Sequence, residues 1–212
     1  MPGIAGKRAL VRVAGTPVAF TDEPCSTTDD QTYQIDDTTM RYWDRDAAIT
    51  VEEDTIATAE AYTVNRLLGT IRFATVDAGR GAVTVSGQYL PTSVAAGARS
   101  YAVTLDRTLL DDTDFDSAND EDGFTSKIAG MLDVQGSIGR RFRVNPYFVD
   151  ALLAGVPVLL EFYSDRSASP DLVAWGLLSK EGIQSAIDGT TDADCDWQGA
   201  PDADGNVAAE PA

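Results

Sequence analysis

Histidine is missing from all 212 residues. With it go the usual general base, the usual partner of a nucleophilic serine and the commonest metal ligand. Lysine is almost missing too: Lys7, Lys127 and Lys180 are the only three, beside 13 arginines. Cysteine occurs twice, as Cys25 and Cys195. One pair so far apart in sequence specifies no bridge and no metal motif, so two separate thiols are the expectation. Long apolar runs are also lacking. The most apolar stretch, 151–160, is interrupted by Gly155 and Pro157 and is too short to cross a bilayer as a helix. The N-terminal Met1-Pro2-Gly3-Ile4-Ala5-Gly6-Lys7 has no apolar core of signal-peptide type. These absences predict a soluble protein made in the cytoplasm and not an enzyme.

What the chain has in excess is negative charge. Twenty-six Asp and eight Glu face 16 basic residues, a net of −18. Such a surface repels a phosphate backbone over most of its area, so tight nucleic-acid binding is excluded, although DNA could pass without being gripped. High Asp with scarce Lys suits either concentrated salt, where self-repulsion is screened, or a merely acidic protein. Hydrophobic residues make up 43% of the chain, which is enough for a globular core.

Strand patterning dominates. Segments 9–13, 32–35, 48–52, 58–64, 69–74, 82–90, 99–105, 156–163, 171–178 and 194–199 have strand composition. In 82–90, Val83, Val85, Gly87 and Tyr89 share one face and Ala82, Thr84, Ser86 and Gln88 the other. Residues 127–142 read as strand and turn, and 181–187 as strand or helix. Asn145-Pro146 predicts a helix start and Gly155 a stop, so 147–154 is a short helix. Thr21 to Asp30 reads as a polar acidic loop. Residues 1–7 read as a loose arm, 1–199 as a single domain, and 200–212 as a disordered acidic tail. No βαβ rhythm appears, so the sheets are antiparallel or mixed, in a β-sandwich or rolled sheet with one flanking helix.

Candidate chemistry is sparse. Asp112, Asp114 and Asp116 alternate as calcium ligands do, but Ser117 stands where the loop glycine belongs, and Asp111 to Asp122 reads as a solvated loop. Asp192, Asp194 and Asp196 fall on one face of a strand and read as acidic surface. Gly79-Arg80-Gly81 lacks the Gly-Lys-Ser/Thr of a phosphate loop and precedes a strand. With 34 acids, carboxylate pairs arise by chance and point to no glycosidase. No catalytic, cofactor-binding or metal residues are assigned. Trp175 and Trp197 read as core or interface. Trp43, in the charged run Arg41-Tyr42-Trp43-Asp44-Arg45-Asp46, fits an interface anchor and a locally packed turn equally.

Several segments resemble the major tail (tail tube) protein of long-tailed, siphovirus-like phages. They are Gly3-Ile4-Ala5-Gly6-Lys7, the stretch from Tyr33-Gln34-Ile35 to Trp43-Asp44-Arg45, and Tyr62 to Pro91 with Val83-Thr84-Val85-Ser86-Gly87-Gln88-Tyr89-Leu90-Pro91. Asp133-Val134-Gln135-Gly136-Ser137, Pro157 to Tyr163, Ala174-Trp175-Gly176-Leu177-Leu178-Ser179 and Asp196-Trp197-Gln198-Gly199 continue it. The likeness spans roughly residues 3 to 199. It implies a tail-tube β-sandwich with a short flanking helix, in hexameric rings stacked into a tube whose acidic lumen conducts genomic DNA during ejection. It also implies a virion location after assembly in the host cytoplasm, with tape-measure, terminator and distal tail proteins as partners and no membrane. Inter-ring elements would be the N-terminal arm, 36–46 and 106–122, and lumen strands would lie around 58–74 and 82–90. The Asp content and the tail after 199 depart from that pattern and fit a halophilic host or an unusual outer surface. The alternatives are a single-ring head–tail adaptor, a tail terminator or another β-rich virion protein. An exported adhesin or carbohydrate-binding module is a further alternative, against which the missing signal peptide counts.

Overall fold

The computed structural model describes residues 9–95, 97–111, 127–141, 147–184 and 191–210. The expected N-terminal arm, the Asp112–Asp122 cluster, the Asn145-Pro146 helix start and residues 185–187 lie outside these. Among the described residues, fifteen strands form two antiparallel sheets beside one α-helix, so the chain is mainly β as its periodicity requires.

The first sheet takes β1 (Leu10–Ala14), β9 (Thr92–Val94), β10 (Ala98–Asp111), β11 (Lys127–Arg141), β12 (Val158–Tyr163), β13 (Leu172–Gln184), β14 (Asp192–Gly199) and β15 (Ala208–Ala209). Its order is β10-β11-β14-β13-β12-β1-β9, with β15 pairing β13. The second sheet runs β5 (Ile56–Ala57), β4 (Thr50–Glu53), β8 (Val83–Tyr89), β2 (Val18–Thr27), β3 (Thr32–Ile35), β7 (Thr70–Phe73), β6 (Tyr62–Asn65). Helix α1 (Tyr147–Ala154) matches its expected span and ends at Gly155.

Three apolar clusters hold these layers. On one face of the first sheet, Val11, Leu160, Phe162, Ile138, Cys195 and Trp197 pack beneath Phe148 of α1. Phe162 stacks on Trp197 with ring centroids 5.4 Å apart. The second sheet encloses Phe20, Tyr33, Trp43, Ile71, Phe73, Val83 and Val85. A bridging cluster joins the two, with Leu159, Val173 and Trp175 of the first sheet against Tyr42, Leu67 and Leu90 beside the second. Strand β12 is buried along its whole length because both its faces are covered, which is why it reads as an unbroken apolar run.

Two expectations fail. Thr21–Asp30 is not a loop. Residues 18–27 form β2, paired on both sides by β8 and β3, with a bulge between Phe20 and Glu23 where Asp22 takes φ +54°. Only Phe20 of this strand is buried, so its other positions tolerate polar residues. The tail is not disordered over 200–210 either. The Asp202 carboxylate accepts from the backbone N–H groups of Asp204 (3.0 Å) and Asn206 (2.8 Å), shaping a turn. Ala208 and Ala209 then pair with Ala174 and Val173 as β15. Asp204 accepts from the buried Arg66 guanidinium at 2.7 Å, and Asn206 Nδ2 donates to the Val64 carbonyl at 3.3 Å. The segment therefore ties the first sheet to the second. A smaller difference is that 58–64 is strand only from Tyr62, as the start of β6, while β5 lies before it.

Candidate assembly interface

Trp43 is fully buried and Tyr42 nearly so, so the 36–46 stretch is a packed corner and not a projecting anchor. The Trp43 ring lies 6.2 Å from Phe20, and its backbone bridges to Tyr89. Strand β8 has β4 on one side and β2 on the other, so it has no edge with which to join another subunit. The expectation that 82–90 joins sheets between copies is therefore overturned.

The long open edges lie in the first sheet; the second ends in the short strands β5 and β6. Four strands, β10-β11-β14-β13, form a contiguous antiparallel array. Strand β12 pairs with β13 only over Leu172–Gly176. Among the described residues, no strand pairs with β13 beyond Gly176 on the side away from β14. Among the described residues none pairs with the outer edge of β10 either. The array thus carries two long open edges, a template for pairing with another chain. The β10–β11 pair also outruns its neighbour. Strand β14 pairs with β11 only over Gln135–Arg141, so Asp106–Asp111 and Lys127–Asp133 continue as a two-stranded ribbon. Such a ribbon is marginal by itself in water.

The two faces of the array differ in chemistry. Val134, Ile138, Leu178, Cys195 and Trp197 point into the core under α1. Alternation sends their neighbours to the opposite face: Ala102, Thr104 and Asp106 of β10, and Asp133, Gln135, Ser137, Gly139 and Arg141 of β11. Asp192, Asp194, Asp196 and Gln198 of β14 join them, with Leu177, Lys180 and Gly182 of β13. Asp192, Asp194 and Asp196 do share a face, as their spacing predicted. Five carboxylates (Asp106, Asp133, Asp192, Asp194, Asp196) meet three cations there (Arg99, Arg141, Lys180). Arg99 lies 3.5 Å from Asp192 and Lys180 lies 4.0 Å from Asp196, as exposed pairs of small energetic weight. Among the described residues no group of carboxylates, cysteines and histidines has metal-binding geometry.

Glycine lets this array close up. A Cβ on Gly136 would strike the Ala102 carbonyl oxygen and lie 2.9 Å from the Trp197 indole, so only glycine lets β11 pass between them. Gly97, at φ +82°, makes the bend into β10 and accepts from the Arg141 N–H at 2.9 Å.

Buried charge elsewhere serves the fold. Arg80, 2% exposed at its side chain, donates to Glu53 at 3.0 Å and Glu60 at 2.7 Å and lies 3.7 Å over the Phe73 ring. The Thr75 hydroxyl and then Arg80 hold the Glu60 carboxyl down at about 2. Arg66 donates to the Asp44 and Ala47 carbonyls at 2.8 and 2.6 Å as well as to Asp204. Arg140 pairs with Glu181 beneath Phe148. A cleft of about 650 Å³ at the junction of the sheets contains Glu161, 2% exposed, which accepts from the Tyr163 hydroxyl at 3.0 Å and lies 3.7 Å from Arg12 Nε. Burial pushes the thiols up, to about 12 for Cys25 and about 11 for Cys195, so both are held as unreactive thiols, in line with the expectation of two separate cysteines. The sequence identified none of these arginine clamps, because nothing in local spacing links Arg66 to Asp204 or Arg80 to Glu53.

Among the described residues no helix is long and apolar enough to cross a membrane. No family model matches the chain, and no curated protein matches it. Among solved structures, the chain is similar to one described as the tail of an empty GTA particle, from helical refinement with C6 symmetry. The TM-score is 0.48 at 12% identity, over 57% of this chain and 87% of that one.

Proposed function

We propose that this protein is a non-enzymatic structural subunit of a phage-like tail, whose copies join into rings that stack into the tail tube. The observation that carries this reading is the four-stranded array with an open edge on each side. Successive strands run antiparallel, so β10 and β13 point in opposite directions. A rotated copy therefore presents its β10 antiparallel to β13 of its neighbour, and each edge is satisfied by the other. The two surfaces are different, so the contact is head-to-tail and closes into a ring when the rotation divides a full turn. The sequence resemblance to tail tube proteins supplies the count of six and the stacking of rings.

In such a ring the α1 side of the array faces outward and the polar side lines the bore. The bore then carries Asp106, Asp133, Asp192, Asp194 and Asp196 against three cations, and DNA slides past without counterion-releasing contacts. The lumen strands are thus β10, β11, β14 and β13, in place of the 58–74 and 82–90 segments that the sequence pointed to. The reading places the protein in the virion tail, with tape-measure, terminator and distal tail proteins as partners.

Electron microscopy of the purified chain in low and molar salt tests this. Each copy carries a net −18, so screening promotes assembly. Stacked rings of uniform width, more abundant in molar salt, are expected. Single rings that never stack point to the adaptor or terminator alternative. Monomers under both conditions contradict the proposal.

A further inference from the structure

The core-facing side of the four-stranded array is unfinished at both ends. On the β10 side, Leu105 is 53% exposed and Leu132 is 52% exposed. Leu105 pairs with Val134 and Leu132 with Arg107, so the two leucines are diagonal neighbours on the face that holds Val134 and Ile138. On the β13 side, Ile183 is 51% exposed and pairs with the buried Ala193, which puts it on that same face. Helix α1 packs against β13 on this face and leaves Leu153 80% exposed.

The opposite side of the array is mostly polar, although Leu177, paired with Gln198, is 37% exposed on it. Apolar residues left in water at both margins of one face, and nearly absent from the other, are not scattered surface leucines. The margins also coincide with the two open edges. Edge pairing between copies keeps the pleat in phase, so side chains from the core-facing side of one copy continue onto the core-facing side of the next.

We infer that an apolar seam forms between adjacent copies of this chain, in which the β13 margin of one copy (Ile183) covers the β10 margin of the next (Leu105 and Leu132). The inference rests on the ring reading above and adds to it which surfaces are buried and that they are unlike one another. The occupant of each margin is a second copy. The two margins are complementary in face, strand direction and apolar character, and neither is self-complementary in strand direction under a ring rotation.

Unlike margins give a test that needs no knowledge of the register. Lysine on a strand edge blocks pairing. Leu105→Lys spoils the β10 margin and leaves the β13 margin intact, whereas Ile183→Lys does the reverse. Both positions are about half exposed, so each variant folds, as circular dichroism of the separate proteins checks. Each variant alone is expected to stay monomeric in molar salt by sedimentation velocity. Mixed in equal amounts they are expected to form a 1:1 heterodimer and nothing larger, through the one intact pair of margins.

Wild-type rings with no effect of either substitution overturn the seam and leave the ring reading standing. A mixture that stays monomeric, or a homodimer of either variant, overturns the head-to-tail arrangement. A wild-type chain that never assembles overturns the ring reading, and the seam with it.

Discussion

The two sheets solve the same problem in different ways. The second sheet is self-contained. Its strands are short, its core is closed by Trp43 and Phe73, and its charged residues are paired internally, as Arg80 is with Glu53 and Glu60. Its two edges, β5 and β6, are only two and four residues long, which limits what can pair with them even where Ile56 of β5 is exposed. The first sheet has strands of 13 to 15 residues, open edges on both sides and apolar residues exposed at its margins. The contrast teaches that exposed edge and exposed apolar surface are informative when they coincide, because either feature alone is common on folded proteins.

Breaking the covered half of the first sheet should have the largest effect. Trp197→Ala removes an indole that is 1% exposed and stacked on Phe162, and should cost about 3–5 kcal/mol in chemical denaturation. Gly136→Ala tests the same place from the other side. Its methyl group meets the Ala102 carbonyl and the Trp197 ring, and a loss of about 1–3 kcal/mol is expected.

The second sheet should respond to loss of its clamp. Arg80→Met keeps the contact with Phe73 but strands the Glu53 and Glu60 carboxylates, which are only partly solvated. A destabilisation of about 1–2 kcal/mol is expected, smaller in the double variant with Glu60→Gln. The second sheet should also be the acid-sensitive one. Glu60 is held at about 2 by Thr75 and Arg80, and Asp29 at about 2 by the backbone N–H groups of Thr32 and Gln31. Both lie well below ordinary carboxyl values, so their contribution is complete above about pH 4.5 and is lost as pH falls toward 2. The melting temperature should fall across that window, and Glu60→Gln should flatten the fall.

The smallest effect on folding belongs to Leu105→Lys. The site is half exposed, so monomer stability should change by no more than about 0.5 kcal/mol in urea titration.

Much of this contrast was legible in the sequence, though unevenly. The alternation in 82–90 and the Asn-Pro to Gly punctuation around 147–154 identified β8 and α1 nearly to the residue, because each obeys a local rule. The lengths of β10 and β13 were underestimated. Gly136 looks like a turn residue, yet it sits inside β11 where the Ala102 backbone and the Trp197 ring approach closely. Strand β2 was hidden because a strand flanked on both sides needs few apolar residues when only Phe20 is buried. The segment after 199 was hidden because its acids serve as turn acceptors and as the counterion of Arg66, 138 residues away in sequence. The interface was misplaced for a related reason. Charge around Trp43 suggested an exposed anchor, and whether a strand is an edge is a property of the sheet that no single segment declares.

Hydrogen exchange on assembled and dissociated protein tests the central claim most directly. The account predicts that on assembly the amides of β10 and of β13 from Leu177 to Ile183 become strongly protected, while those of β8 and β3 in the second sheet do not change. Equal protection of both sheets, or slowed exchange confined to the second, would contradict it.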